Sequence, residues 1–156
     1  MALVRILVDG YSLLHNWPEL APGKPRHSQA ARDELIHVLT LYQDASGTPV
    51  TVVFDGAGSK RARPEPDSGP AVEVLYSRTG QTADQMIERA THRLKDFGEV
   101  LVVTDDFAER DTVISVGGMV SSCLGFIQSI ESALADLQRE LKNYNRREQR
   151  RFKNGR

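Results

Sequence analysis

Three short apolar runs that each stop at an aspartate constrain this chain more than any other feature. Leu3–Val8 (LVRILV) stops at Asp9-Gly10, Val50–Phe54 (VTVVF) at Asp55-Gly56, and Val100–Thr104 (VLVVT) at Asp105-Asp106. Each run is brief, apolar and rich in β-branched residues, as a strand buried on both faces of a parallel sheet must be. Helical patterns separate them. Ser28 can cap a helix reaching about Asp44, with Leu35, Ile36, Leu39 and Tyr42 at helical spacing and Ser46-Gly47 as its end. A third strand is expected at Val72–Tyr76. It is followed by Thr82 and Gln85 as a capping box and by a helix through Met86, Ile87, Ala90 and Leu94 towards Gly98.

Asp106 and Glu109 suit the start of a short helix. The β-branched residues Val113–Val116, ahead of Gly117-Gly118, read as a fifth strand. The last helix is expected from Ser121 or Ser122. Its apolar positions Ile127, Ile130, Leu134, Leu137, Leu141 and Tyr144 recur at steps of three and four. Strands alternating with helices define an α/β class. The expected fold has three layers, α/β/α, with a mostly parallel central sheet, right-handed crossovers and a long C-terminal helix.

In such a sheet the carboxyl ends of the strands lie along one edge, where ligands bind. Asp9, Asp55, Asp105 and Asp106 fall at that edge, and Asp84 falls in the first turn of the helix after the third strand. Each has a plainer reading: a turn former for Asp55, a helix-dipole partner for Asp84, an N-cap for Asp106. Gathered in one cleft they repel, and a hard divalent cation relieves that repulsion; Mg²⁺ or Mn²⁺ suits oxygen ligands alone. His15, His27, His37 and His92 show no metal-ligand spacing, and the single cysteine, Cys123, excludes a multi-cysteine zinc site and a disulfide framework.

The net charge of −1 conceals two halves. Residues 1–138 hold 12 Lys/Arg against 19 Asp/Glu, whereas residues 139–156 hold 8 against 2. The chain therefore divides into a folded domain at 1–138 and a basic helical extension and tail at 139–156. A basic tail suits a polyanion, which it would grip through phosphates and in a salt-dependent way. Its candidates are Arg146, Arg147, Arg150, Arg151, Lys153 and Arg156. Further phosphate contacts are expected from Lys60, Arg61 and Arg63 in a Gly/Pro-rich loop, and from Arg32. Tyr11 and Trp17 lie close to Asp9 in sequence. Base stacking and core packing are both open to Tyr11, and Trp17 ahead of Pro18 reads as a loop anchor. No apolar run approaches the ~20 residues that cross a bilayer, and the N-terminus lacks a signal-peptide layout. The expectation is a cytoplasmic protein with no membrane partner, a monomer or a weak homodimer through the outer half of the last helix.

The ordered set Val8-Asp9-Gly10-Tyr11-Ser12-Leu13-Leu14, Val53-Phe54-Asp55-Gly56, Thr82-Ala83-Asp84 and Val103-Thr104-Asp105-Asp106 resembles the YacP-like branch of the NYN domain family, relatives of PIN-domain nucleases. The resemblance runs from about residue 4 to residue 130. It implies a PIN-like fold and a metal-dependent endoribonuclease, with messenger RNA on the ribosome as the family's setting. By that resemblance Asp9, Asp84 and Asp106 are catalytic, and the metal set is Asp9, Asp55, Asp84, Asp105 and Asp106. Tyr11, Ser12, Arg32, Lys60, Arg61, Arg63, Thr82 and Ser121 are the substrate-binding candidates, with Mg²⁺ or Mn²⁺ as cofactor and RNA as partner. Two departures stand out. Ser12 occupies the usual asparagine position, and its hydroxyl reaches less far than an amide. Asp105 replaces a usual serine and adds a carboxylate. Ser12 keeps open a second class, a non-catalytic RNA- or ribosome-binding module. A phosphatase of similar sheet is disfavoured because no D-x-D follows the first strand, and a Rossmann cofactor site because no G-x-G-x-x-G does.

Overall fold

The computed structural model describes residues 3–56, 72–78 and 80–154. Among the described residues five strands, β1 (Leu3–Asp9), β2 (Val50–Phe54), β3 (Glu73–Tyr76), β4 (Glu99–Val103) and β5 (Met119–Ser121), form one sheet. Its order is β3-β2-β1-β4-β5 and every pairing is parallel. Five α-helices among the same residues accompany it: α1 (Gly10–His15), α2 (Gln29–Ser46), α3 (Ala83–Leu94), α4 (Phe107–Ser115) and α5 (Cys123–Asn154). The chain adds β2 and β3 on one side of β1, then crosses to add β4 and β5 on the other. The switch point therefore lies between β1 and β4, where a parallel sheet opens its ligand crevice.

Alternation along the strands builds two cores. Ile6 and Val8 of β1, with Val50, Val52 and Phe54 of β2, pack against Leu13 and Leu14 of α1, Leu35 and Leu39 of α2, and Cys123, Phe126 and Ile130 of α5. Leu7, Val53, Val100 and Val102 face the other way, onto Ala83 and Ile87 of α3 and Val113 of α4. Both faces are covered, which is why β2 is buried at all five positions and its sequence carries no polar alternation. The caps expected from sequence form. The Ser28 side chain accepts from the Ala31 N–H, Gly47 closes α2 in the left-handed conformation, and Thr82 and Gln85 make a reciprocal capping box.

Two elements differ from the sequence expectation. Val113–Val116 is not a strand: Val113–Ser115 are helical in α4, and the fifth strand is Met119–Ser121. A parallel crossover needs about a dozen residues or more, usually including a helix. Thr104 to Val113 is too short for one, and burying Val113 on α3 overrides its β propensity. The residues after Asp9 also form a short helix, α1, with Asp9 as its N-cap.

The connection from α1 to α2 has no regular structure, and Arg26 gathers it. Its guanidinium donates to the carbonyl oxygens of Leu14, Trp17, Leu20, Ala21 and Lys24, at 2.8 to 3.2 Å. Trp17 is buried beneath this loop, in its expected anchoring role.

Gly10 is fixed by contact. A Cβ there would come within 2.4 Å of the Phe54 ring, which is fully buried. Gly10→Ala is expected to destabilise the protein by about 1–3 kcal/mol through overpacking, read as a lower midpoint in urea with unchanged slope.

Candidate metal centre

The carboxyl ends of β1 and β4 and the N-termini of α3 and α4 converge at the switch point. Asp9 closes β1, and its carboxylate accepts the Ser12 N–H at 3.4 Å. Asp84 stands in the first turn of α3. Glu109 comes from the first turn of α4 and is 5% exposed. One carboxylate oxygen from each of these three lies within 4.8 Å of the others. The acids along this edge act on Asp9, since the charges of Asp84, Asp55 and Asp106 all raise its pKa.

The site is poised against its own charge. Burial chiefly, then its acidic neighbours, pushes Asp9 up to about 6, while the Ser12 N–H opposes the rise. Burial likewise pushes Glu109 up to about 8, with Asp9 and Asp84 adding to it. Thr104, itself fully buried, donates its hydroxyl to Glu109 Oε2 at 2.8 Å and receives the Asp106 N–H at 3.1 Å. That fixes the glutamate inward. Glu109 Oε1 is then the one buried side-chain polar atom among the described residues without a hydrogen-bond partner. A buried acceptor left unpaired costs about 1–3 kcal/mol. It faces two further carboxylates, so what pairs it is either the proton that its raised pKa retains, shared with Asp84, or a cation. A hard cation at about 2.1 Å from each ligand spans oxygens up to about 4.2 Å apart, so this set closes on one with small side-chain shifts. The three carboxylates fit Mg²⁺ or Mn²⁺ by donor type; they offer nothing that selects zinc.

The other sequence candidates occupy the surroundings in different ways. Asp55 accepts the Ser77 hydroxyl at 2.8 Å and the Ala83 N–H at 3.0 Å, tying β2 to the start of α3. Asp105 accepts the Cys123 N–H at 2.9 Å and so holds the start of α5. Asp106 is the N-cap of α4, accepting from Ala108 and Glu109. Each spends an oxygen on backbone, and none belongs to the set of three. The Ser12 hydroxyl lies 3.5 Å from Cys123 Sγ, and burial pushes that thiol up to about 12. Tyr11 packs its ring on His27 and Phe54, at centroid distances of 4.3 and 5.1 Å, and its hydroxyl accepts from Arg32 at 3.2 Å. Arg32 also donates to the His27 carbonyl. Thr82 caps α3, and the Ser121 hydroxyl donates to the Ser122 carbonyl. Lys60, Arg61 and Arg63 lie outside the described residues.

Sequence reasoning missed Glu109 as a site residue because it sits three residues after an N-cap. There a glutamate is expected to turn back on the cap's own N–H. The available signal was Thr104, five residues earlier at the end of β4.

The doubly wound parallel sheet with an acidic cluster at its switch point fits a PIN-like nuclease fold, and the family comparison selects it among the doubly wound folds. The chain belongs to the YacP-like NYN domain family, whose profile matches residues 6–155 and so runs through the basic extension as well. It is similar to the Bacillus subtilis (strain 168) protein named "Uncharacterized protein YacP", 29% identical over 138 residues that cover 88% of this chain and 81% of that one. It is also similar to the crystal structure of Rae1 (YacP) from Bacillus subtilis, with a TM-score of 0.80 and 28% identity, covering 95% of this chain and 84% of that one. A mutant of Rae1 matches at a TM-score of 0.77 and 28% identity over 92% of this chain and 84% of that one. No helix among the described residues is long and apolar enough to cross a membrane.

Proposed function

We propose that this protein is a divalent-metal-dependent endoribonuclease that hydrolyses RNA phosphodiester bonds. The observation that carries the reading is the unpartnered Glu109 Oε1, buried against Asp9 and Asp84 with their oxygens within 4.8 Å. A site with no catalytic or metal-binding use would have little reason to keep three carboxylates together at that electrostatic cost. Asp9, Asp84 and Glu109 would hold the ion. Asp106, Asp105 and Asp55 would keep α4, α5 and α3 in position around it, with their free oxygens available to ligate through water. Bound Mg²⁺ or Mn²⁺ supplies an activated water and neutralises charge on the phosphate.

On loading, Asp9 and Glu109 give up the protons their raised pKa values retain. Thr104 keeps Glu109 turned inward throughout. Around the rim, the hydroxyls of Ser12, Thr82 and Ser121 and the Arg32 guanidinium are the proposed substrate contacts. Phe107 joins them: it follows Asp106, is 75% exposed, and offers an unpaired base an aromatic face, with Arg110 lying 5.6 Å over its ring. Messenger RNA on the ribosome as the setting rests on the family resemblance alone.

The test incubates the purified protein with single-stranded RNA, with and without ribosomes, in Mn²⁺, Mg²⁺ or EDTA. Internal cleavage in either metal and none in EDTA is expected. Cleavage that survives EDTA, or none in any metal with or without ribosomes, overturns the proposal.

A further inference from the structure

The basic extension is not a loose tail. It continues α5 unbroken to Asn154, so the helix is 32 residues long. At 1.5 Å per residue it measures roughly 48 Å, and its start is pinned beside the metal centre by Asp105. Arg139, Lys142, Arg146, Arg150 and Lys153 follow one another at steps of three, four, four and three. On an α-helix that spacing sets them in one stripe about 80° wide and roughly 21 Å long, with a cation every ~5 Å. All five are exposed. Of the five, Arg139 is ion-paired, to Asp136, and no other ion pair among the described residues involves the row. The acids that follow, Glu140 and Glu148, fall outside the stripe, and Glu148 pairs with Arg151 at 3.5 Å.

We infer that this row is a docking surface for the phosphate backbone of double-helical RNA, gripping it at a distance from the metal centre. The inference rests on the nuclease reading only for the choice of RNA over DNA. Three observations select the occupant. A straight rod of evenly spaced cations complements a regular line of phosphates, and neutralising them releases counterions. The row contains no aromatic residue; Tyr144 and Phe152 lie on the opposite side, so bases of a single strand find no stacking platform there. An anionic membrane is disfavoured because the side opposite the cations is not a continuous apolar face: Leu134 packs on the core, and Glu148 and Arg151 interrupt the side between Tyr144 and Phe152.

The row begins about 24 Å from the start of α5 and ends about 45 Å from it. A duplex held there leaves its neighbouring unpaired segment to reach the carboxylates. The row thus sets where on a structured RNA the protein sits and reads no sequence.

The experiment uses the full chain in EDTA, so that binding is read without cleavage. Affinity is measured by fluorescence anisotropy for a 20-base-pair RNA duplex, a single strand of equal length and vesicles with an anionic headgroup, between 50 and 200 mM salt. The variant Lys142→Gln/Arg146→Gln/Arg150→Gln keeps residues of good helix propensity, and circular dichroism checks its helix content. A control, Arg89→Gln/Arg93→Gln, removes exposed cations from α3. The expected result is a tenfold or greater loss of duplex affinity in the row variant, with a log–log salt slope shallower by about 2–3, and less than a threefold loss in the control. Equal losses in row variant and control, unchanged duplex affinity in the row variant, or wild-type binding to vesicles but not to duplex would each overturn the inference. Because no metal is present, a protein that never cleaves RNA still decides it.

Discussion

Glu109→Gln is expected to make the protein more stable and nearly inactive at once. In the metal-free protein at pH 8 the buried carboxyl is caught between Asp9 and Asp84, with one oxygen unpartnered. An amide of the same shape still accepts the Thr104 hydroxyl and turns a donor towards the two aspartates. Removing the repulsion and pairing the orphan atom is worth about 2 kcal/mol, or a melting temperature higher by roughly 4–8 °C. The same change removes one of three anionic ligands, and RNA cleavage in Mn²⁺ is expected to fall at least ~100-fold, a loss of about 3 kcal/mol of transition-state stabilisation. Calorimetry and a cleavage time course on one preparation check both halves. A variant that melts lower than the parent without metal refutes the electrostatic account, and one that cleaves at the parental rate removes Glu109 from the metal set. Asp84→Asn is expected to share the loss of cleavage.

Stability of the metal-free protein should fall as pH rises from 5 to 8.5. Asp9 titrates near 3.8 when free of the fold and at about 6 within it, and Glu109 moves from 4.5 to about 8. Between those values the folded state keeps protons that the unfolded chain has released. Unfolding is therefore favoured as protons become scarcer, and the loss is complete once pH passes the folded values. A tenfold difference in proton affinity between folded and unfolded chain is worth about 1.4 kcal/mol, so these two carboxyls together account for a few kcal/mol. Millimolar Mn²⁺ is expected to reverse the trend, because it binds the deprotonated set: the metal-induced rise in melting temperature should be several degrees larger at pH 8 than at pH 5.5. Thermal melts at both pH values, with Mn²⁺ and with EDTA, measure this. A metal effect of equal size at both pH values would detach the cation from these carboxyls.

The fold was legible because its strands are buried on both sides. β2 can be read to the residue, since Val50–Phe54 has no charged position, four of its five residues are β-branched and it ends at Asp55-Gly56. The capped helices α2 and α3 were equally plain, because Ser28 and Thr82 offer oxygens to N–H groups that otherwise lack partners. The edge was not. β5 has only three residues and half of its environment is solvent, so Met119-Val120-Ser121 carries little pattern, while Val113–Val116 beside it carries a misleading one. Counting the residues a parallel crossover requires would have corrected the reading without any structure.

The convergence of Asp9 and Asp84 was legible as topology: a strand end and a helix start at one edge. The division of labour among the acids was not. Asp55 and Asp105 look equivalent to Asp9 along the chain, yet their hydrogen bonds to Ala83 and Cys123 are set by neighbouring elements that no local pattern announces, whereas Asp106 takes the N-cap role that its local pattern offers. Glu109 was hidden for the converse reason, since a local motif explained it before its burial could.

Arg26 has a consequence for the chain's tolerance of change. Five carbonyl oxygens between Leu14 and Lys24 converge on one planar cation, so the segment has a centre made of charge where most loops of its length have none. Lysine, with its three donors on a single point, cannot satisfy that ring of acceptors. Insertions or a different loop sequence are therefore permitted only if they leave those oxygens where they are. The stretch beside Asp9 will drift over evolutionary time in its side chains while its backbone path stays put.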